Sequence, residues 1–170
     1  LALALMSKAS IYASLGVLKA EVSTPLPFGR EIKHLMEKAK CEAARLGHGY
    51  LGTEDLLLAM LTDGGEAADL ITRQGVSLAQ VIRSVEDYIG PSNKESGYTV
   101  AGHLLLPLTP RTRSAFDTAA VLAQKQGAAA MGVGHLFLAL AADKESVSAQ
   151  ILTGFGLDYK NLQGQMKMAG

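Results

Sequence analysis

The chain carries one pattern twice. Displaced against itself by 80 positions, Leu26-Pro27 falls on Leu106-Pro107, Gly47 on Gly127 and Gly52 on Gly132. Leu56, Leu58 and Ala59 fall on Leu136, Leu138 and Ala139, and Asp63 on Asp143, with no gap from residue 26 to 63. After one inserted residue, Ala68, Gly75 and Leu78 meet Ala149, Gly156 and Tyr159. A unit this long is a whole helical subdomain, larger than a solenoid repeat. Two copies therefore predict a pseudo-symmetric domain rather than an array. Where one copy keeps a polar residue and the other loses it, the two surfaces cannot do the same job.

The spacing inside each copy is helical. Ile32, Leu35, Met36, Ala39, Ala43 and Leu46 form one apolar stripe, stopped by Gly47. Thr53 is the expected N-cap of a second helix, with Glu54 and Asp55 in its positive first turn. Leu56 to Leu61 is apolar on every side, which predicts a central, buried helix. Gly64-Gly65 breaks it. A third helix covers about 66 to 74, and Ser77 with Gln80 has capping-box spacing for a fourth, whose apolar face is Val81, Ile82, Val85 and Ile89. The second copy opens with Thr109 as N-cap and Pro110 at the first helical position. Ala115, Phe116, Ala119 and Ala123 mark its stripe, Gly127 stops it, and Leu136 to Ala142 is the second buried helix. Helices near 147 to 152 and 158 to 168 complete the plan. No stretch reads as a strand. The expected fold is all-α, a pseudo-twofold duplication of a four-helix repeat.

The expected segments are an N-terminal extension (1–27), a first repeat (28–90), a linker (91–107) and a second repeat (108–170). In the extension, Ile11, Leu15, Leu18 and Val22 have the spacing of a short amphipathic helix suited to docking on the body or on a partner. The chain opens on Leu1 rather than methionine, which suggests a processed N-terminus. The stretch from Ser92 to Gly102 is polar and contains glycine, as a mobile loop would.

Composition narrows function. Lys plus Arg and Asp plus Glu are equal at 16 each, so a general electrostatic grip on nucleic acid is not supported. The single cysteine, Cys41, excludes an intramolecular disulfide and a CxxC metal site. No apolar run reaches the length of a membrane-spanning helix. No G-x-S-x-G elbow positions a serine nucleophile, and no catalysis is expected. His48, His103 and His135 each stand without a paired His or Cys at ligand spacing, so no metal is expected. Asp63, Glu66 and Asp69 read as a solvated acidic edge, and Arg111 with Arg113 as a solvent-facing basic start, with either patch a candidate docking face.

Phe28-Gly29-Arg30, then Ala43-Ala44-Arg45-Leu46-Gly47-His48, then Leu51-Gly52-Thr53-Glu54-Asp55-Leu56-Leu57-Leu58, resembles the N-terminal repeat domain of the Clp (Hsp100) chaperone ATPases. The second copy's Leu108-Thr109-Pro110-Arg111-Thr112 resembles the start of that family's second repeat. The resemblance covers about residues 28 to 168. Two departures matter. The sequence has no G-x-x-x-x-G-K-[ST] phosphate loop, so it is similar to the stand-alone accessory subunits (ClpT-type) of the plastid Clp protease. That resemblance implies a non-catalytic protein of the chloroplast stroma, without a cofactor. It would bind and stabilise the ClpP/ClpR core rings and influence docking of a ClpC-type chaperone. The alternative is a substrate- or adaptor-binding N-domain of a ClpC-type ATPase. In that type the glutamate of each G-T-E-H motif helps hold arginine-phosphate substrates. Here the first copy reads Gly52-Thr53-Glu54-Asp55 and the second Gly132-Val133-Gly134-His135. Glu54 keeps the carboxylate and Gly134 does not, so at most one half-site is expected. The candidate partner-binding residues are Phe28, Arg30, Thr53 and Glu54.

Overall fold

The computed structural model describes residues 27–90 and 106–169, and all structural statements below concern these. The N-terminal extension up to residue 26, with its amphipathic spacing, and the linker region 91–105, with His103, lie outside them.

Eight helices follow in two matching sets of four. The first half contains α1 (Arg30–Arg45), α2 (Thr53–Asp63), α3 (Glu66–Arg73) and α4 (Leu78–Ile89). The second contains α5 (Pro110–Lys125), α6 (Val133–Ala142), α7 (Val147–Gly154) and α8 (Tyr159–Ala169). Equivalent helices stop by equivalent means. Gly47 and Gly127 lie just past α1 and α5 at φ 77° and 70°, left-handed conformations that a side chain would resist. None of these helices is long and apolar enough to cross a membrane.

The all-round apolar runs are the centre of the molecule, as their periodicity predicts. Leu56 to Leu61 of α2 and Leu136 to Ala142 of α6 are buried throughout. Helix α2 packs on α1 and α4 of its own half and meets α5, α6 and α7 of the other. Helix α6 does the reciprocal, packing on α5, α7 and α8 and meeting α1, α2 and α3. One hydrophobic core, from Ile32 to Leu162, runs through both halves.

The halves are also joined by backbone. The segment entering α1 pairs with the segment entering α6: Gly29 N–H donates to the Met131 carbonyl (3.2 Å), and Met131 N–H to that of Pro27 (3.1 Å). The segments entering α2 and α5 pair likewise, Leu51 N–H to Pro107 (2.8 Å) and Thr109 N–H back to Leu51 (3.1 Å). Each half thus completes the other's entry. These two isolated bridges, Phe28 with Met131 and Leu51 with Leu108, are the extended pairing among the described residues.

Two local expectations shift. The N-cap of α2 is Gly52, not Thr53, and Thr53 is the first helical residue. Ser77 is the N-cap of α4, but its side chain makes no capping bond. Thr109 behaves as expected, its hydroxyl accepting from Thr112 N–H with Pro110 following.

Leu136→Ala should destabilise the protein by about 2–5 kcal/mol, because it empties a fully buried site. Since the core and both bridges are shared, protection should fall as much in α1 and α2 as in α5 and α6. Hydrogen exchange in mild denaturant reads this directly. Loss confined to the second half would mean that the halves unfold separately.

Candidate functional site

The two central helices begin at pseudo-equivalent corners, and these corners hold the polar residues of the duplicated motif. At the start of α2, the backbone N–H of Gly52 donates to Asp55 Oδ2 (2.9 Å). The other oxygen, Oδ1, meets His48 Nδ1 at 2.8 Å. The His48 ring stacks on Tyr50, with centroids 5.3 Å apart and planes 8° from parallel. His48, isolated in the sequence, is thus a partner of the helix cap. Asp55 is fully buried, and burial pushes its carboxyl up to about 6, against the opposing pull of the Gly52 amide and His48. Burial also raises the Tyr50 phenol, with Glu54 and Asp55 adding to the effect.

Glu54 lies over the same corner, its carboxylate oxygens 2.6 Å from where a Cβ on residue 52 would sit. Only glycine at position 52 leaves that space. One ligand-capable atom each from His48, Glu54 and Asp55 lies within 4.8 Å of the others. Both Asp55 oxygens are already engaged, and the neighbouring helix N-terminus carries partial positive charge. The cluster is built as a cap rather than to attract a cation.

At the start of α6 the same task is done with different chemistry. Gly132 N–H donates to His135 Nδ1 (3.0 Å), and His135 Nε2 pairs with Gln126 Oε1 (2.9 Å). Burial lowers the His135 imidazole, with Glu66 acting in the opposite direction. Gly134 lacks a carboxylate of its own, as the sequence says, but a carboxylate is nevertheless present. It comes from the other half: Gly134 N–H donates to Glu66 Oε2 at 3.0 Å. Glu66 atoms lie 2.5–2.6 Å from the place a Cβ on residue 134 would occupy. Loss of the side chain at 134 is therefore what admits Glu66. Glu66 is exposed, as its place in an acidic edge predicts, and it is engaged as well, because a helix N-terminus offers N–H donors to a carboxylate.

Arg111 likewise does not simply face solvent. Its guanidinium bonds both oxygens of Asp143 (2.9 and 2.7 Å) and reaches Glu145 (3.1 Å), which ties the start of α5 to the turn after α6. The equivalent Asp63 is held by Lys38 at 2.8 Å, which keeps its carboxyl below the usual range.

The four candidate contact residues fall at these two corners. Phe28 is 49% exposed, with its ring 5.6 Å from that of Phe116. Arg30 is exposed beside it and, with Glu31, His34, Asp63, Glu66 and Val133, lines a cleft of about 460 Å³ between the halves. Glu54 is half-buried at the other corner, and Thr53 is buried, offering a partner little surface. Arg30 and Glu66 thus line the same cleft. Glu66 also lines a second cleft of about 470 Å³, with Asp69, Arg73, Gln126, His135 and Met166. The sequence places Glu66 in an acidic edge and candidate docking face but does not show its contact with residue 134. The one available sequence signal was Gly134 itself, a glycine where the first copy has a carboxylate.

An all-α double repeat, interlocked through its entry segments and with polar corners at both central helices, defines the N-terminal repeat domain of the Clp type. The description of the Clp repeat (R) N-terminal domain matches residues 27–155 and again 107–169, and the chain belongs to that family. It is similar to the chloroplastic ClpA homolog, an ATP-binding subunit of the ATP-dependent Clp protease, of Brassica napus: 32% identity over 159 residues, 92% of this chain and 17% of that protein. It is similar to the chloroplastic chaperone protein ClpC of Pisum sativum, at 34% over 134 residues, 78% of this chain and 14% of that one. The chain spans only 14 to 17% of the length of these relatives. In fold it matches the N-terminal domain of ClpD from Arabidopsis thaliana, with TM-score 0.64 and 16% identity, over 84% of this chain and 95% of that one. It also matches the Hsp104 N-terminal domain from Candida albicans, with TM-score 0.67 and 16% identity, over 82% and 88%.

Asp55 gives a pH prediction. Its folded value is raised above the ordinary 3.8, so the folded state keeps a proton that the unfolded chain has already lost. The stability this contributes is fully present below about pH 4 and is lost as pH rises through about 6. Asp55→Asn keeps an oxygen for the Gly52 amide but cannot ionise. It should flatten stability across that window and raise it by roughly 1 kcal/mol at neutral pH. Urea unfolding at a series of pH values measures both, and an unchanged slope would assign the titration to another group.

Proposed function

We propose that this chain is a non-catalytic, protein-receiving N-domain of a plastid Clp system, working in the stroma. It engages substrate or adaptor polypeptide for a ClpC-type chaperone. The observation that carries this reading is the pair of carboxylates at the two corners, Glu54 at the start of α2 and Glu66 at the start of α6. Two carboxylate corners suit a partner that presents basic side chains, since a guanidinium offers a planar donor fork to each carboxylate. The family resemblance points to arginine-bearing substrates, and the Glu66 substitution gives the second half a charge that its own motif lacks. Phe28, exposed beside Arg30 and the cleft, adds an aromatic contact of the kind enriched in protein-binding hot spots. The similarity to ClpC and to a ClpA homolog supports this reading over that of an accessory subunit on the ClpP/ClpR rings.

The test is binding of arginine-phosphorylated and unmodified peptides, and of the ClpP/ClpR core, by calorimetry and native mass spectrometry. Peptide binding should weaken about tenfold in Glu54→Gln and in Glu66→Gln, the loss expected for one charge-assisted hydrogen bond. A discrete mass increase on the proteolytic core, with no peptide binding, would make the protein an accessory subunit instead.

A further inference from the structure

The two corners do the same capping job, yet only one of them can survive the arrival of a proton. At α6 the Gly132 amide can only donate, so His135 Nδ1 must carry a lone pair. The ring proton then sits on Nε2, facing Gln126 Oε1. A second proton has one place to go, Nδ1, where it would meet the Gly132 N–H head on. Protonation of His135 and capping by His135 are therefore mutually exclusive. At α2 the Gly52 amide instead meets a carboxylate oxygen of Asp55, and the hydrogen bond between Asp55 and His48 uses the other oxygen. Protonating that pair does not set two donors against each other at the cap.

The surroundings give the imidazolium somewhere to turn. The cleft beside His135 is lined from α3 by Glu66, Asp69 and Arg73, from the turn after α5 by Gln126 and Ala128, and from α8 by Met166. Glu66 is the carboxylate whose charge acts on His135. That same carboxylate accepts from Gly134 N–H, a side-chain tie from the first half to the N-terminus of α6.

We propose that His135 is a proton-operated latch on the joint between the halves: on taking up a proton it releases Gly132 and draws Glu66 away from Gly134. One proton then loosens two bonds at the start of α6 and leaves the start of α2 capped. The latch does not depend on what the domain binds. It makes the second corner the one whose cap opens with acidity, while Asp55 at the first corner titrates with its cap in place.

Amide resonances and exchange rates of Gly52, Gly132 and Gly134 should be followed by NMR from about pH 7.5 to about pH 5, together with the His135 ring. Gly132 and Gly134 should shift together with the ring, and their exchange, corrected for intrinsic rates, should rise about tenfold, the equivalent of one lost cap. Gly52 should not show that rise. His135→Gln keeps an acceptor at the third helical position and cannot take the proton, so both responses should vanish. Glu66→Gln should leave the Gly132 response and abolish that of Gly134. Should the His135 variant fail to fold, the wild type and Glu66→Gln still decide the matter. A Gly132 amide indifferent to the His135 titration would overturn the latch, as would a Gly134 amide that moves identically with and without Glu66.

Discussion

The structure depends on reciprocal backbone pairing between the halves. Each central helix is entered from a short extended segment, and neither segment can satisfy its own amides and carbonyls. The amides of Gly29 and Met131 are satisfied across the pseudo-axis, and those of Leu51 and Thr109 across its counterpart. An unpaired backbone group in this interior would cost as much as a lost hydrogen bond, so neither half is complete alone. The pairing also sets geometry. It brings the start of α6 close to the turn between α2 and α3, which is how Glu66 reaches Gly134.

Duplication followed by divergence shows here as one mechanical task solved twice. The starts of α2 and α6 both need an acceptor for the N-cap amide and a negative charge near the helix dipole. The first half supplies Asp55 and Glu54 from its own helix. The second supplies a neutral imidazole, His135, and takes its carboxylate from the other half. The ion pairs follow the same logic, with the equivalent Asp63 and Asp143 held by unrelated cations, Lys38 and Arg111. The pseudo-symmetry survives in backbone and core, and it is lost in charge.

The fold was legible because its signals are local. A stripe such as Ile32, Leu35, Ala39 and Ala43, a glycine at 47 or 127, and an apolar run such as Leu56 to Leu61 each act within a few residues, and the repeat confirms each reading by a second example. The site was less legible. Phe28, Arg30 and Glu54 do lie at the corners of the central helices. Thr53, however, is buried behind Gly52, because a glycine with extended backbone can itself end the approach to the helix. His48 lacks a metal-type partner in sequence but finds Asp55 seven residues on, once Gly47 has turned the chain back. Glu66 is legible as part of an acidic edge, but its partner is not, since nothing in its neighbourhood names residue 134.

Periodicity and glycine placement in the sequence determined eight helices, two copies of one plan, and which helix of each copy is buried. These follow from apolar surface leaving water and from backbone angles available to few residues. Tertiary structure alone decided that the entry segments pair across the axis, that Asp55 and His135 share one role, and that a carboxylate from one half occupies the space left by a glycine in the other. Those outcomes rest on contacts between residues far apart in the chain, where the distance in space, and not the spacing in sequence, sets the energy.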